Sequence, residues 1–382
     1  MGGATPGPSA AVDGPLRVAL VIERSDASAG GAEGVAWRVA AGLASAGDDV
    51  TVVCRSGAAP PGTRLALVRA PGGWKPLRVL GFSRAAARAT RSGFDVVQSF
   101  SRTRHQDVFR AGGGSHADYL ERMHGRLGAR LRAATPRHAA QLWIERAVFA
   151  DPAQTILCNS VFVRDQIAAR YGVPGERLAV IRNGVDLVRF HPDRRANEGA
   201  RVRGELGAGS RTVWLFAGSG FRRKGLAVAL GALAASEDAA SVLWVAGRDD
   251  AARWHAHAAR LGLRDRVRFL GPRGDLEALV AAADGLLLPT RYDAFANVCL
   301  EAAAAGLPVV TSGANGAAEI ARDTGIVVED PEDVAAFARA LARLADPAAR
   351  ASLGKAARAL AERHGWDDHV RALRALYARR LA

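Results

Sequence analysis

Short, mostly apolar runs recur along the chain and are separated by segments with helical periodicity. A short continuous apolar run is typical of a strand buried in a parallel sheet. The run LRVALVI at residues 16–22 precedes a glycine-containing loop, a helical stretch at 32–46 and the run DVTVVC at 49–54. This order predicts a strand–loop–helix–strand unit of the doubly wound α/β type.

The pattern continues through the first half of the chain and restarts after a polar segment at 192–203. Further strands are predicted at 95–100, 155–159, 178–181, 212–217, 241–246, 267–270, 285–288 and 308–311. Helices are predicted at 117–137, 142–150, 160–171 (with Ser160 as N-cap), 225–235 and 366–381, and between the later strands. We therefore predict two doubly wound, Rossmann-like domains, residues 16–185 and 186–365, that face each other across a cleft.

The composition fits a cytosolic protein of two domains. A length of 382 residues and an apolar content of 49% are sufficient for two separate cores. No apolar run reaches the ~18 residues of a membrane span, and the three cysteines are scattered, as expected in a reducing compartment. Residues 1–15 are rich in glycine, proline and alanine, so we predict a disordered tail and not a signal peptide.

The chain carries a net charge of +14, and all but three of its 52 basic residues are arginine. Excess positive charge favours anionic partners such as nucleic acid, anionic lipid or a phosphorylated glycolipid. No cysteine–histidine zinc pattern and no aromatic-basic strand motif is present, which argues against nucleic acid. A membrane-facing basic surface and an ordinary solvated arginine surface both remain open.

A basic, glycine-rich turn, GSGFRRKG at 218–225, lies between a predicted strand and a predicted helix. Glycine allows close approach of the backbone to a ligand, and a helix start offers unpaired amides. Leu226 after the last glycine excludes a Walker A loop, and the glycine spacing excludes a dinucleotide fingerprint. We predict that Arg223 and Lys224 neutralise a diphosphate; the alternative is a solvated basic turn.

Two carboxylates, Asp293 and Glu301, flank the predicted start of a helix near residues 296–297. Carboxylates accept strong hydrogen bonds from sugar hydroxyls. The backbone amides predicted to face the ligand are those of Phe295, Ala296 and Asn297, and Gly218 and Val298 complete the predicted donor-binding set. The alternative is an acidic helix start with a surface glutamate. Together with the basic turn, the pair predicts a nucleotide-sugar site.

Candidates in the first half of the chain are weaker. Gly30 and Gly31 precede a predicted helix and could hold a phosphate, although a tight turn also needs glycine. Asp107, His116 and Asp118 flank the triple glycine at 112–114 and are candidates for the acceptor side, with Asp107 and His116 assigned to catalysis. No Asp-x-Asp triplet and no nucleophile elbow occurs, which favours a mechanism without metal or cofactor.

These motifs, in this order, resemble family 4 of the retaining glycosyltransferases, which have the GT-B fold. The Glu-x7-Glu motif of that family corresponds to Asp293-x7-Glu301, its basic pair to Arg223 and Lys224, and its glycine loop to GGAE at 30–33. Its segment between the domains corresponds to IRNGVD at 181–186, and NGAAEIA at 315–321 is also similar. The resemblance covers residues 16–381.

The resemblance implies a role for each matched residue. Glu301 would hold the ribose, Asp293 the donor sugar, and Arg223 and Lys224 the diphosphate, with the Gly30 and Gly31 amides on the other side of the cleft. It also implies retention of the anomeric configuration and a C-terminal helix, residues 366–382, that crosses back to the first domain. Asp293 is one methylene shorter than the glutamate of the family, so the transferred sugar stays open.

The segment SFSRTRHQDVFRAGGGSHADYL at 99–120 is most similar to the lipopolysaccharide core glucosyltransferases of the family. That resemblance implies a UDP-glucose donor, a glycolipid acceptor and peripheral binding to the cytoplasmic face of the membrane. A phosphatidylinositol mannosyltransferase and an exopolysaccharide enzyme are alternatives within the family. A non-catalytic, basic surface-binding protein on the same scaffold is an alternative of a different class.

Overall fold

The computed structural model describes residues 14–27, 31–70 and 73–382. The chain forms two compact units. The N-terminal unit holds the chain up to Gly184 together with Trp366–Ala382, and the C-terminal unit is Val185–Gly365. The predicted disordered tail lies outside the described residues as far as residue 13.

The N-terminal unit is built on a parallel sheet that has, within the described residues, seven strands in the order β5-β3-β1-β6-β7-β8-β9. Two further strands, β2 and β4, form a short pair of their own. The strands of this unit are β1 Arg17–Val21, β2 Arg24–Ser25, β3 Asp49–Cys54, β4 Ser56–Gly57, β5 Arg64–Leu67, β6 Val96–Ser99, β7 Val108–Arg110, β8 Thr155–Cys158 and β9 Leu178–Val180.

Helices cover this sheet. They are α1 Ala32–Ser45, α2 Lys75–Ala89, α3 His116–Ala133, α4 Pro136–Ala150, α5 Val161–Tyr171 and the final helix α14 Trp366–Leu381, with a short 3-10 helix at Gly175–Arg177. The helix predicted at 117–137 is in fact two helices, because Pro136 begins α4; proline lacks the amide that would continue α3 but fits a first helical position. Ser160 caps α5 as predicted, its hydroxyl accepting from the Val163 amide.

The last helix contributes to the core of the N-terminal unit. Leu373, Leu376 and Tyr377 are buried with residues of β1, β3 and α1. The Tyr377 hydroxyl donates to the Gln98 side chain at 2.8 Å, so the one polar atom of this ring is satisfied inside the core. Helices α1 and α14 approach closely at Gly42, where a Cβ would stand 2.6 Å from a Val370 methyl carbon.

The C-terminal unit repeats the architecture with, in the part of the chain that is described, a parallel six-stranded sheet in the order β12-β11-β10-β13-β14-β15. Its strands are β10 Val213–Ala217, β11 Val242–Ala246, β12 Val267–Gly271, β13 Gly285–Leu288, β14 Val309–Ser312 and β15 Gly325–Val328. Its helices are α6 Glu198–Glu205, α7 Leu226–Ala235, α8 Ala252–Arg260, α9 Leu276–Ala282, α10 Asn297–Ala304, α11 Ala318–Ala321, α12 Val334–Arg343 and α13 Pro347–Ala361, after a 3-10 helix at Pro192–Arg195. Trp214, Phe216, Trp244 and Phe337 are fully buried in its core.

Both sheets have a topological switch point beside their first strand. From β1 the chain adds β3 and β5 on one side and then returns to place β6 on the other; from β10 it adds β11 and β12 and then places β13 opposite. In sheets of this kind, ligands bind outside the carboxyl ends of the strands at the switch point. The doubly wound α/β class predicted from the apolar runs is confirmed, and the order of strands directs attention to the loops after β1, β6, β10 and β13.

Candidate active site

The basic turn at 218–225 follows β10 at the switch point of the C-terminal unit. Its path depends on glycine: Gly225 has a φ of +80° and a Cβ there would stand 1.8 Å from the Pro289 carbonyl oxygen. The backbone of Arg223 is tied to the neighbouring loop, since its carbonyl accepts from the Arg291 amide at 2.9 Å and from the Thr290 hydroxyl at 3.0 Å. These contacts hold the two basic side chains at the carboxyl ends of β10 and β13.

Arg223 and Lys224 meet Asp293. The Lys224 ammonium lies 2.6 Å and an Arg223 guanidinium nitrogen 2.5 Å from the same carboxylate oxygen, Oδ2. Lys224 is buried with its side chain 9% exposed, Asp293 is largely enclosed with its side chain 13% exposed, and the Arg223 side chain is 31% exposed. Two cations therefore share one carboxylate, and the cluster keeps one net positive charge.

The environment of Asp293 keeps its carboxylate ionised. Burial would raise its pKa, but the charges of Lys224 and Arg223 and their hydrogen bonds outweigh burial and lower the pKa to about 2. Its other oxygen, Oδ1, accepts from the Phe295 amide at 3.2 Å. Of the four acceptor positions of a carboxylate, these donors occupy three, and the remaining position on Oδ1 can accept a sugar hydroxyl.

The loop before α10 is organised by Asn315, which follows β14. The Asn315 side-chain oxygen accepts from the amides of Ala296 and Ala317, and its nitrogen donates to the Thr311 hydroxyl at 3.0 Å. The predicted ligand contacts of the loop amides need correction, because the Phe295 amide is used by Asp293 and the Ala296 amide by Asn315. A buried amide without a partner would be costly, so the protein satisfies both internally.

Helix α10 begins at Asn297, where it was predicted, and Glu301 lies on its second turn in a half-buried position. The side chains of Phe295 and Val298 are buried in the core of the C-terminal unit, and their place in the donor-binding set stays a prediction. Their contribution is to fix the entry of the chain into α10. Glu301 and Asp293 thus reach the carboxyl end of the sheet from one helix and from the loop before it.

A pocket of about 250 Å³ lies at the switch point of the N-terminal unit. It opens at the carboxyl ends of β1, β6 and β7 and the beginning of α1. Its charged and polar lining consists of Glu23, Glu33, Ser101, Arg102, Arg110 and Gln141, beside the triple glycine. Arg102, Arg110, Glu23 and Gln141 were not predicted. Arg110 is the last residue of its strand and lies two positions before the glycine run, which is the one local signal for it.

Gly31 is the N-cap of α1 with a φ of +69°, a conformation that favours glycine, and Ala32 and Glu33 after it reach the pocket. Gly30, predicted together with Gly31 to face a phosphate, lies outside the described residues. The predicted phosphate contact of this loop stays a prediction.

His116 begins α3 just beyond the triple glycine and is buried. Its amide donates to Glu145 at 2.6 Å, and its ring nitrogen Nε2 lies 2.8 Å from Nδ1 of His138. Burial lowers its pKa to about 3, assisted by the charge of Arg102. The lowered pKa keeps the ring neutral at physiological pH, and a neutral ring with this pKa is a weak base there.

The structure places Asp107 far from the pocket and corrects its catalytic assignment. Asp107 precedes β7, where its carboxylate accepts from the Val97 amide at 2.8 Å and lies 3.7 Å from Arg380. This is the amino end of the strands, opposite to the pocket. Asp118 is likewise paired with Arg170 at 2.8 Å.

Residues 29–189 match the family described as Glycosyltransferase Family 4, and residues 211–346 match the family described as Glycosyl transferases group 1. The chain belongs to glycosyltransferase family 4. The first match falls mainly on the N-terminal unit and the second on the C-terminal unit, where it includes the switch point between β10 and β13, and the fold is GT-B.

The names of two similar proteins refer to different substrates. D-inositol 3-phosphate glycosyltransferase of Streptomyces bingchenggensis is 34% identical over 264 residues, which are 64% of this chain and 56% of that protein. Lipopolysaccharide glucosyltransferase WaaG of Escherichia coli is 32% identical over 246 residues, 62% of this chain and 64% of that protein. The chain thus spans little more than half of the inositol-phosphate relative.

Two solved structures are similar to this chain over almost its whole length. A crystal structure of WaaG, a glycosyltransferase involved in lipopolysaccharide biosynthesis, superposes with a TM-score of 0.82 and 25% identity, covering 94% of this chain and 99% of that one. Anabaena Alr3699/HepE in complex with UDP-glucose superposes with a TM-score of 0.73 and 18% identity, covering 94% and 98%. The second likeness concerns the fold alone.

Proposed function

We propose that this chain is a retaining, metal-independent hexosyltransferase that transfers glucose from UDP-glucose to a cell-envelope glycolipid such as the lipopolysaccharide inner core. The observation that carries the proposal is the Lys224–Asp293–Arg223 cluster at the switch point of the C-terminal unit, with Glu301 beside it on α10. It combines cations for a diphosphate with carboxylates for hydroxyls, which are the two chemical ends of a nucleotide-sugar.

The cluster suits the departure of a nucleoside diphosphate. Lys224 and Arg223 neutralise the charge that grows on the leaving oxygens, and the low-dielectric surroundings of Lys224 strengthen that effect. Asp293 stays ionised and holds a hydroxyl of the donor sugar through Oδ1, which orients the anomeric carbon. Glu301 binds the ribose hydroxyls, so the two ends of the donor are fixed on either side of the diphosphate.

Two observations bear on the mechanism: one concerns the acceptor's proton, and the other concerns the charge of the leaving diphosphate. We assign the acceptor's proton to the oxygen of the departing phosphate, and the lowered pKa of the buried His116, which makes that ring a weak base, is consistent with this assignment. Among the described residues, no group of three or more histidine, cysteine, aspartate or glutamate side chains is placed to hold a metal ion. The cationic cluster supplies the charge that a metal would otherwise supply.

The names of similar proteins support the substrate classes. HepE was crystallised with UDP-glucose, and WaaG is a lipopolysaccharide glucosyltransferase, which favours UDP-glucose as donor and a glycolipid as acceptor. The relatives named D-inositol 3-phosphate glycosyltransferase favour a second candidate, transfer to a phosphorylated polyol. Both candidates use the same donor site and differ at the pocket of the N-terminal unit.

Peripheral attachment to the cytoplasmic face of the membrane forms part of the proposal, and helix α3 supports it. Gly125, at a φ of +69°, divides α3, and in its second part Leu127 and Leu131 are 73% and 69% exposed on one face beside Arg126 and Arg130. Exposed leucines flanked by arginines suit an interface of anionic lipid. No helix in the described part of the chain is long and apolar enough to span a bilayer.

The test is a thermal-shift screen with UDP-, GDP- and ADP-sugars in the presence of a chelator, followed by a transfer assay with the donor that stabilises the protein. We expect UDP-glucose to raise Tm and Lys224→Ala to abolish the shift. The neighbouring exposed Arg222→Ala is the matched control and should retain the shift. Absence of a shift with every nucleotide-sugar, together with absence of transfer, would favour a non-catalytic scaffold.

A further inference from the structure

Three buried hydroxyl groups lie behind the basic turn of the C-terminal unit. They belong to Thr290, two residues after β13, and to Thr311 and Ser312, which end β14. All three residues are fully buried, although the strands that they follow or end are otherwise apolar. A buried hydroxyl is costly unless it is hydrogen-bonded, whereas valine or alanine would fill the same space without that requirement. Each hydroxyl is therefore expected to have a specific partner.

The partner of the Thr290 hydroxyl is the backbone of the basic turn. The hydroxyl donates to the Arg223 carbonyl oxygen at 3.0 Å. The same oxygen accepts from the Arg291 amide at 2.9 Å, so this carbonyl has a hydrogen bond without Thr290. The hydroxyl is thus not needed to satisfy a buried acceptor. Its effect is to hold the Arg223 carbonyl from a second direction and so to fix its orientation.

The orientation of this carbonyl determines the position of Lys224. The Arg223 carbonyl and the Lys224 amide belong to one planar peptide group, and the amide donates to the Gly220 carbonyl at 3.0 Å. Both ends of the group are therefore held. The lysine side chain has little room beyond it, since a Cβ at Gly218 would stand 3.1 Å from its Cε carbon. A rotation of the peptide group would consequently displace the ammonium from Asp293, and the side chain could not compensate freely.

Ser312 holds Thr290 in turn. The Ser312 hydroxyl donates to the Thr290 carbonyl oxygen at 2.5 Å, which ties the loop after β13 to the end of β14. The contacts therefore run from Ser312 through Thr290 to the Arg223 carbonyl. Strand β14 lies between β13 and β15 in the sheet and is buried along its length. The place of the basic turn is thus set by a strand in the interior of the unit.

The carboxylate half of the donor site is held by the same end of β14. The Thr311 hydroxyl donates to the Leu288 carbonyl at 2.8 Å and accepts from the Asn315 side chain at 3.0 Å. Asn315 accepts from the Ala296 amide in the loop that carries Asp293. Two adjacent residues of one strand thus hold the cations on one side and the carboxylate loop on the other. The spacing between the two halves of the site is fixed within β14.

We infer that Thr290 and Ser312 are positioning residues, which hold Lys224 through the Arg223 carbonyl at the place where charge develops on the departing diphosphate. The inference deepens the proposed function and rests on it for the identity of the reaction. Both residues are fully buried, so they act through Lys224 and do not contact the donor. A preorganised cation stabilises the transition state more than the ground state, so loss of either hydroxyl should lower kcat more than the affinity for the nucleotide.

The first test is Thr290→Val in the full-length protein, which keeps the branched shape of the side chain and removes the hydroxyl. We expect kcat for glycosyl transfer to fall about tenfold or more, the scale of a misplaced catalytic group. The affinity for UDP, measured by calorimetric titration, should fall about fivefold. Thr290→Ser keeps the hydroxyl and should retain most of the wild-type kcat. Ser312→Ala should lower kcat by a smaller factor, because it acts one contact further away.

Thr324→Val is the matched control. Thr324 is also buried in the C-terminal unit, and its hydroxyl donates to the Ile320 carbonyl at 2.6 Å, but it precedes β15 at the amino end of the strands. Both valine variants should lower Tm by similar amounts, whereas only Thr290→Val should lower kcat. An unchanged kcat in Thr290→Val, or an equal loss in Thr324→Val, overturns the inference.

If Thr290→Val fails to fold, Ser312→Ala takes its place. Its control is Ser241→Ala, because Ser241 is fully buried before β11 and its hydroxyl donates to the Asp238 carbonyl at 2.8 Å. The same comparison applies: kcat should fall in Ser312→Ala and not in Ser241→Ala, and an unchanged kcat in Ser312→Ala overturns the inference.

A double-mutant cycle with Lys224→Ala distinguishes the positioning of Lys224 from a general loss of order. In the Lys224→Ala background, Thr290→Val should lower kcat by a much smaller factor than in the wild-type protein, because the group that it positions is gone. The same factor in both backgrounds would overturn the inference. Lys224-dependent UDP binding that Thr290→Val weakens, without glycosyl transfer from any donor, would refute the proposed function alone. Transfer that depends on Lys224 and not on Thr290 would refute the inference alone.

Discussion

The Lys224–Asp293–Arg223 cluster has two roles, to stabilise the folded protein and to bind a diphosphate. The substitution Asp293→Asn separates these roles, because it keeps the size of the side chain and removes its charge. In the wild-type protein the carboxylate holds Lys224 and Arg223 at 2.6 and 2.5 Å. In the variant both cations lose their anion, and Lys224, 9% exposed, is left as a buried charge. The protein without ligand should be less stable, and its affinity for a diphosphate should be higher.

The magnitude follows from the pKa of Asp293. A fall from 3.8 to about 2 corresponds to about 2 kcal/mol of folding free energy at pH 7. Because the folded pKa is below the unfolded value, this stabilisation is complete above about pH 4 and disappears as the pH falls towards 2. The difference in unfolding free energy between wild type and variant should therefore close over that interval.

The assays are urea denaturation between pH 7 and pH 2 and calorimetric titration with UDP. We expect Asp293→Asn to lose about 2 kcal/mol of stability at pH 7 and to bind UDP about tenfold more tightly, since a like charge beside the diphosphate is gone. Asp275→Asn is the control, because Asp275 pairs with Arg273 at 2.5 Å on the surface of the same unit and should contribute little. Equal stability at pH 7 and unchanged UDP affinity would refute the reasoning.

Three further predictions concern turnover, donor binding and membrane binding. Lys224→Ala should lower the rate of transfer by about 2.7–4 kcal/mol of barrier, measured as kcat, the scale for loss of one electrostatic stabiliser; unchanged kcat would contradict its role. Glu301→Ala should raise the Kd of the donor with little change in Tm, and a large fall in Tm without a change in Kd would mark Glu301 as structural. Vesicle sedimentation should require anionic lipid, weaken with salt and weaken in the double variant Leu127→Ser, Leu131→Ser; equal binding to neutral vesicles would contradict the electrostatic part of the proposal.

Much of the fold could be predicted from the apolar runs, because a strand buried on both faces leaves a local signature in the sequence. The strands β1, β3, β10 and β13 fall within a residue or two of their predicted bounds. By contrast, β7 was missed, since its three residues are too few for a pattern. It exists because β6 and β8 pair with it on both sides, and sequence inspection does not show those partners.

Strand β7 also explains why the catalytic assignment of Asp107 was wrong. In the sequence, Asp107 is close to the triple glycine and was therefore assigned to one site with His116. Strand β7 runs between them, and three residues of extended chain span about 10 Å. Asp107 and Gly112 consequently lie at opposite ends of the sheet. Proximity along a chain predicts proximity in space only where no strand intervenes.

The Lys224–Asp293–Arg223 cluster shows a second limit of prediction from sequence, namely contacts between residues that are far apart along the chain. The basic pair and the acidic residue could each be predicted from local motifs, but their direct ion pair joins segments 69 and 70 residues apart. Asn315 was missed for a related reason. Its role is to fix the loop before α10 from a neighbouring strand, which only the order of strands in the sheet brings together.

The chain arrangement that places α14 in the N-terminal unit has a consequence for biosynthesis. When the ribosome has made residues up to Gly184, the core of that unit still lacks Leu373, Leu376 and Tyr377, which are translated about 200 residues later. At typical elongation rates this delay is roughly 10 to 40 s. During that time the face of α1 that α14 covers stays uncovered, whereas Val185–Gly365 is continuous and can complete its own core first. The nascent N-terminal half is therefore the part of this enzyme that most needs a chaperone.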